Sequence, residues 1–256
     1  MTATCGPART TRSRDHDDAE QLAGDAGGML AAIRHVAAGA ALGRLGDRCS
    51  HELLAAEIRR RHPDDAILSE EGADDRGRLT ARRVWIVDPL DGTREFGEPG
   101  RVDWAVHVAL WEEDEIVAAA VALPGRGLVL STAQPPPRRT AEPGPPLCIL
   151  VSRTRPPDLA SRVAEKLGAR LLPMGSAGAK VAAVVLGEAD AYVHAGGQYE
   201  WDSAAPVGVA LAAGFHASRV DGTPLRYNRP DPSLPDLLVC RPEIAGALLE
   251  ALAVMS

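Results

Sequence analysis

The 256-residue chain carries 28 Lys and Arg against 35 Asp and Glu, a formal charge of -7, with 45% hydrophobic and only 4% aromatic residues. This balance opposes a general nucleic-acid binder, which needs clustered positive charge and stacking aromatics, while the apolar content suffices for one large domain or two small ones. No apolar run approaches the roughly 20 residues of a bilayer span, the polar start lacks a signal-peptide core, and Cys5, Cys49, Cys148 and Cys240 have no Cys-x-x-Cys spacing, so a reduced, cytoplasmic protein is expected.

Residues 1–17 mix Thr, Arg, Pro and Asp without periodicity and read as a disordered tail. From Ala19 onward, Leu22, Ala26, Met29 and Ile33 recur at helical spacing and predict an amphipathic helix. A second helix is expected from an N-cap at Ser50 through Leu54 and Ile58 to Arg61, where His62-Pro63 ends it. Asp47 then falls just before that helix. Ala66-Ile67-Leu68 reads as a short strand entering Ser69-Glu70-Glu71-Gly72. Adjacent carboxylates of an extended chain point to opposite faces, so one of the pair, taken as Glu70, can face a metal.

Val84-Trp85-Ile86-Val87 reads as a buried strand that stops at Asp88-Pro89-Leu90-Asp91-Gly92-Thr93. Pro89 cannot donate to a sheet ladder and Gly92 permits tight geometry, so the chain turns there, with amides near Gly92 and Thr93 left to face an anion. Two hard carboxylates beside such amides suit a divalent cation and a phosphate together. Trp104–Leu110, Glu115–Leu123 and Gly127–Ser131 predict an antiparallel meander, with His107 read as a core histidine. Residues 133–146 hold six prolines and mark the domain boundary, separating an α+β unit (18–132) from a unit over 147–256 in which strand and helix alternate. In the latter, Ser152-Arg153-Thr154-Arg155 follows a strand, Gly175-Ser176 opens a helix, and Trp201-Asp202-Ser203-Ala204-Ala205 opens another.

Asp-Pro-Leu-Asp-Gly-Thr, the upstream Glu-Glu pair and Trp-Asp-x-Ala-Ala, in that order, resemble the signatures of the inositol monophosphatase superfamily of lithium-sensitive, magnesium-dependent phosphatases. The Arg-Glu-Phe that follows Thr93 is most similar to the CysQ-type branch, which acts on 3'-phosphoadenosine 5'-phosphate. The resemblance implies a layered α-β-α-β-α sandwich of two subdomains. It also implies two or three Mg2+ ions held by Glu70, Asp88, the Leu90 carbonyl, Asp91 and Asp202. Glu70 and Thr93 would orient the attacking water with Asp47 supporting Thr93, and the Gly92 and Thr93 amides would hold the phosphoryl group. Ser152, Arg153, Gly175, Ser176 and Asp202 stand where the family meets its substrate. A small phosphate ester is the implied partner, a homodimer the implied assembly, and phosphonucleotide recycling in sulfate assimilation the implied role. Inositol 1-phosphate and fructose 1,6-bisphosphate share the metal core as alternative substrates, and a non-catalytic metal or nucleotide sensor is the alternative of another class. Water is favoured as the nucleophile over a phosphoenzyme, because no Ser or Cys motif with a partner His is visible.

Overall fold

The computed structural model describes residues 7–36, 41–138 and 146–254. Two long helices, α1 (Pro7–Val36) and α2 (Leu42–Arg61), precede β1 (Ala66–Ser69), β2 (Arg83–Asp91), the one-turn helix α3 (Thr93–Gly97), and strands β3 (Ala105–Glu112), β4 (Glu115–Leu123) and β5 (Leu128–Ser131). These strands form one sheet in sequential order, antiparallel except for β1 beside β2. The rest alternates: β6 (Cys148–Ser152), α4 (Asp158–Leu167), β7 (Arg170–Met174), α5 (Ala177–Val185), β8 (Ala191–Tyr199), α6 (Glu200–Ala212), β9 (His216–Ser218), β10 (Ser233–Cys240) and α7 (Pro242–Ala253). The second sheet runs β7-β6-β8-β10-β9.

Three apolar clusters define five layers. Leu22, Leu30, Leu54 and Ile58 of α1 and α2 pack with Trp85 and Val87 on the outer face of the first sheet. Val84 and Ile86, from the other face of the same strand, join α5, α6 and the inner face of the second sheet in a shared central core. Val163 of α4 and Leu248 of α7 cover the far face of the second sheet. The α-β-α-β-α sandwich is thus present, and its two halves share the middle layer. The proline-rich crossing lies between β5 and β6, and its residues 139–145 fall outside the described residues.

Three local expectations are corrected. Residues 7–17 of the expected tail belong to α1, while residues 1–6 lie outside the described residues. What holds this helical turn is charge rather than apolar periodicity: buried Asp15 accepts from Arg83 at 2.7 and 3.0 Å, and Asp18 from Arg61 at 2.8 Å. Helix α2 starts at Leu42, so Ser50 is no N-cap; it is buried inside the helix and donates to the Pro89 carbonyl at 2.7 Å. Asp47 accordingly lies within α2 rather than ahead of it. A Cβ at Gly43 would come within 2.6 Å of the Thr93 methyl, and one at Gly46 within 2.9 Å of Phe96. The glycines let α2 press against the turn after β2. Helix α7 carries no signal that the sequence reading used.

Candidate active site

Strand β2 delivers the first two acids. Val84, Ile86 and Asp88 share one face by the period of two, so Asp88 inherits the face turned to the central layer. Asp91 is three residues on and would point the opposite way in a regular strand. It does not, because Asp88 pairs with His107 and Asp91 with Ala105, three residues of β2 against two of β3. This bulge at Pro89 and Leu90 returns Asp91 to the face of Asp88. Gly92, at φ 86°, then turns the chain into α3, where the first-turn N–H groups have no intrahelical acceptor.

Asp202 arrives from the other half, in the first turn of α6, where its Oδ2 accepts from Tyr199 N at 2.7 Å. One carboxylate oxygen from each of Asp88, Asp91 and Asp202 lies within 4.8 Å of the others. Glu70 stands beside this triad, just past the end of β1, where it feels the charges of Asp202 and Asp91. Asp47 accepts from Thr93 Oγ1 at 3.1 Å, and the Leu90 carbonyl offers that hydroxyl a second acceptor at 3.1 Å. The structure therefore brings together every acid that the sequence pointed to.

Crowding acids without a cation raises their affinity for protons. Burial and the neighbouring Glu70 and Asp91 push Asp88 well above the usual carboxylate range. Glu70, though open to solvent on one side, is pushed up to about 7 by desolvation, then by Asp202 and Asp91. Asp202 rises to about 6 by burial and Asp91, and Asp47 to about 6 by burial, with the Thr93 hydrogen bond opposing. Asp91 differs. Burial raises it too, but His107, Lys180 and Ser176 outweigh that and hold it below its ordinary value. Such an all-oxygen, proton-hungry set fits a hard divalent cation such as Mg2+.

The Gly-Ser turn ahead of α5 closes the site over Asp91. Ser176, at φ 50°, donates from Oγ to Asp91 Oδ2 at 2.5 Å and accepts from Ala179 N at 2.9 Å, while Gly178 N donates to Asp91 Oδ2 at 2.7 Å. Gly175 and Gly178 are required by space, since a Cβ at either would overlap Glu95 or His107 respectively. The expected substrate segments separate here. Gly175 and Ser176 reach the acids. Arg153 is engaged by Glu95, at 2.7 and 3.0 Å, and by Glu98 at 2.7 Å. Ser152 Oγ accepts from Arg155 N at 3.2 Å.

Three residues of the site escaped the sequence reading. His107 is the buried core histidine expected, yet its Nδ1 donates to the Trp201 carbonyl at 3.0 Å and its Nε2 lies 3.2 Å from Asp91 Oδ2, joining β3, α6 and the acid. Buried Lys180 donates to the carbonyls of Ser176 (2.6 Å), Gly175 (3.3 Å) and Met174 (3.4 Å), and so braces the turn. Its signal in the sequence is a lone charge in the otherwise apolar helix Ala177–Val185. Asp103 accepts from Gly175 N at 2.7 Å and carries no local signal.

The family model described as the inositol monophosphatase family matches residues 44–253. A protein of Mycobacterium tuberculosis, "3'-phosphoadenosine 5'-phosphate phosphatase", is 56% identical over 219 residues, covering 83% of this chain and 82% of its own. Escherichia coli "3'(2'),5'-bisphosphate nucleotidase CysQ" is 29% identical over 194 residues, covering 71% and 77%. Among solved structures, inositol monophosphatase II from Staphylococcus aureus superposes with a TM-score of 0.75 at 20% identity, covering 93% of this chain and 95% of that one. Mycobacterium tuberculosis SuhB superposes with a TM-score of 0.72 at 24% identity, covering 98% of each. The chain belongs to the inositol monophosphatase family.

Proposed function

We propose that the protein is a Mg2+-dependent phosphomonoesterase that removes the 3'-phosphate of 3'-phosphoadenosine 5'-phosphate to leave AMP. The observation that carries the hydrolytic reading is the convergence of the Asp88, Asp91 and Asp202 oxygens beside Glu70 and the Thr93–Asp47 pair. The choice of leaving group is supported by the mycobacterial relative, whose likeness spans most of both chains.

Glu70, Asp88, the Leu90 carbonyl, Asp91 and Asp202 would hold the cation. Bound Mg2+ supplies charge stabilisation to the phosphoryl oxygens and acidifies water. The chain's own groups do the rest. Thr93, while its hydroxyl donates to Asp47, keeps lone pairs that accept from a water, and Glu70 is the neighbouring base that takes its second proton. The first-turn amides of α3 receive the phosphoryl oxygens in line with that water. Asp202, on the facing helix, would hold the metal or a water near the leaving ribose oxygen. The Ser176 turn fixes Asp91, so its charge stays oriented through the displacement. In the cell this activity would clear the phosphonucleotide formed in sulfate assimilation.

The test is phosphate release from 3'-phosphoadenosine 5'-phosphate, inositol 1-phosphate and fructose 1,6-bisphosphate, side by side with Mg2+. The highest kcat/KM is expected for the nucleotide. A preference for inositol 1-phosphate would overturn the substrate assignment while leaving the metal chemistry intact.

A further inference from the structure

Glu70 and Asp202 reach the site from opposite halves of the chain, and a buried arginine far from both motifs ties their supporting segments together. Arg78, on the turn of 3-10 helix Arg76–Thr80 that follows the Glu70 loop, is the one arginine among the described residues that is fully buried, at 1% exposure. Its guanidinium donates to Asp74 Oδ1 and Oδ2 at 2.6 and 3.2 Å, to Asn228 Oδ1 at 2.8 Å and to the Arg229 carbonyl at 2.9 Å. Asn228 answers by donating from Nδ2 to the Arg78 carbonyl at 3.2 Å. The amides of Asn228 and Arg229 donate in turn to the two oxygens of buried Glu200, at 2.6 and 2.7 Å. Glu200 opens α6, two residues before Asp202. Arg76 adds a bond to the Pro230 carbonyl at 3.1 Å.

We propose that Arg78 is a positioning residue that sets the separation of Glu70 and Asp202, and through it the affinity of the site for a divalent cation. The proposal rests on the metal reading of the acids given above. A buried cation is costly unless several geometric partners satisfy it, and such a group specifies one arrangement more strictly than apolar packing does. Here its partners are drawn from the two segments that must be held in register. The planar fork makes four bonds at once, two of them to Asp74, where a lysine ammonium has only three donors and no bidentate geometry.

The experiment uses the full chain and Mn2+ alone, with free Mn2+ counted by electron paramagnetic resonance and Tm measured without metal. Two variants are compared with wild type: Arg78→Lys, and the gentler Asn228→Gly, which keeps a backbone at φ 57° that glycine adopts freely. Ile244→Ala, in the distant core under α7, reports what general loosening does. Mn2+ affinity should fall about tenfold in both clasp variants, the size usual for groups that orient metal ligands, and stay at the wild-type value in Ile244→Ala at a similar loss of Tm. Wild-type affinity in a folded Asn228→Gly protein overturns the proposal, as does an equal loss in Ile244→Ala. If Arg78→Lys fails to fold, Asn228→Gly decides alone. A wild-type protein that binds no Mn2+ overturns the metal reading itself, and the proposal with it.

Discussion

The seam where Asp91 meets the start of α5 and the rim formed by Glu70, Asp88 and Asp202 hold their acids on opposite terms. At the seam, Asp91 is surrounded by donors: the Ser176 hydroxyl, the Gly178 amide and, at ion-pair distance, His107. All three meet its Oδ2, and its pKa is held down. At the rim, Asp88 accepts from Leu90 N at 3.0 Å and Asp202 from Tyr199 N at 2.7 Å, while Glu70 stands among the charges of Asp202 and Asp91. These three are pushed up. The difference separates two jobs. Asp91 is part of the frame and carries its charge whether or not a cation is present. The rim acids hold protons that a cation must displace, so cation binding there would release protons and strengthen as pH rises.

The sharpest way to break this division is to neutralise one acid from each side. Asp88→Asn should lose activity by at least about a hundredfold, in the range seen when a group stabilising the transition state is removed. Its metal-free Tm should rise, since one member of a repulsive set is gone. Asp91→Asn should lose activity as severely but lower the metal-free Tm, by about 1–3 kcal/mol of stability, because it weakens charge-assisted hydrogen bonds. Assays and metal-free melts of both proteins decide it. Two variants shifting Tm in the same direction would erase the distinction between seam and rim.

The seam can also be pressed without touching an acid. Gly178→Ala places a methyl where His107 already sits, in a fully buried corner. Alanine is the better helix former, but forced overpacking costs about 1–3 kcal/mol and outweighs that preference. The measurement is Tm together with kcat, and both should fall, because the His107 that must move also faces Asp91. A neutral or stabilising substitution would mean that the packing is looser than these contacts indicate.

The rim makes a prediction about pH. In the metal-free protein Glu70 titrates near 7 and Asp202 and Asp47 near 6, with Asp88 raised as well. In the unfolded chain the same groups titrate near 4. Between about pH 4 and 7 the native state therefore binds more protons than the unfolded one, so stability falls as pH rises through that window. His107, whose pKa is raised against the pull of burial by Asp91, acts in the same direction. Asp91, lowered, acts with the opposite sign only below that window. Metal-free melts should show a higher Tm at about pH 5.5 than at about pH 7.5, and saturating Mg2+ should shrink or reverse the gap. A Tm that is flat or rising without metal would contradict the assignment of the rim.

These two regions were unequally legible in the sequence. Asp88, Asp91, Gly92 and Thr93 stand in one short run where a strand signal meets Pro and Gly, and Trp201-Asp202 opens a helix with its own small-residue pattern, so local chemistry exposes them. The meander and the strand-helix alternation follow from periodicity, and the five-layer order from the family resemblance. What holds Asp91 is another matter. Its bond to Ser176 spans 85 residues, and the bulge that turns it inward is a property of pairing with β3 rather than of β2 itself. Nothing near Asp103 or His107 in the chain announces the partner each one meets. Helix α1 shows the converse failure: its first half looks structureless in sequence because ion pairs to Asp15 and Asp18, not an apolar stripe, hold it.

The smallest expected effect concerns Arg153, which sequence alone offers as a substrate contact. Its Nε and Nη2 are held by Glu95, and Nη2 also by Glu98, with the side chain 27% exposed. Glu95 is buried at the point where Gly175 leaves no room for a side chain, so the arginine belongs to the seam, clamping α3 against the turn that holds Asp91. A partly exposed ion pair contributes little to stability. Arg153→Ala should then lower kcat/KM for the nucleotide by less than about tenfold and leave the Mg2+ requirement unchanged. Because the loss would come from an unpaired Glu95, adding Glu95→Gln should recover part of it. A drop of a hundredfold that Glu95→Gln does not relieve would show that the guanidinium leaves its carboxylates in the complex, and Arg153 would move from the frame to the substrate.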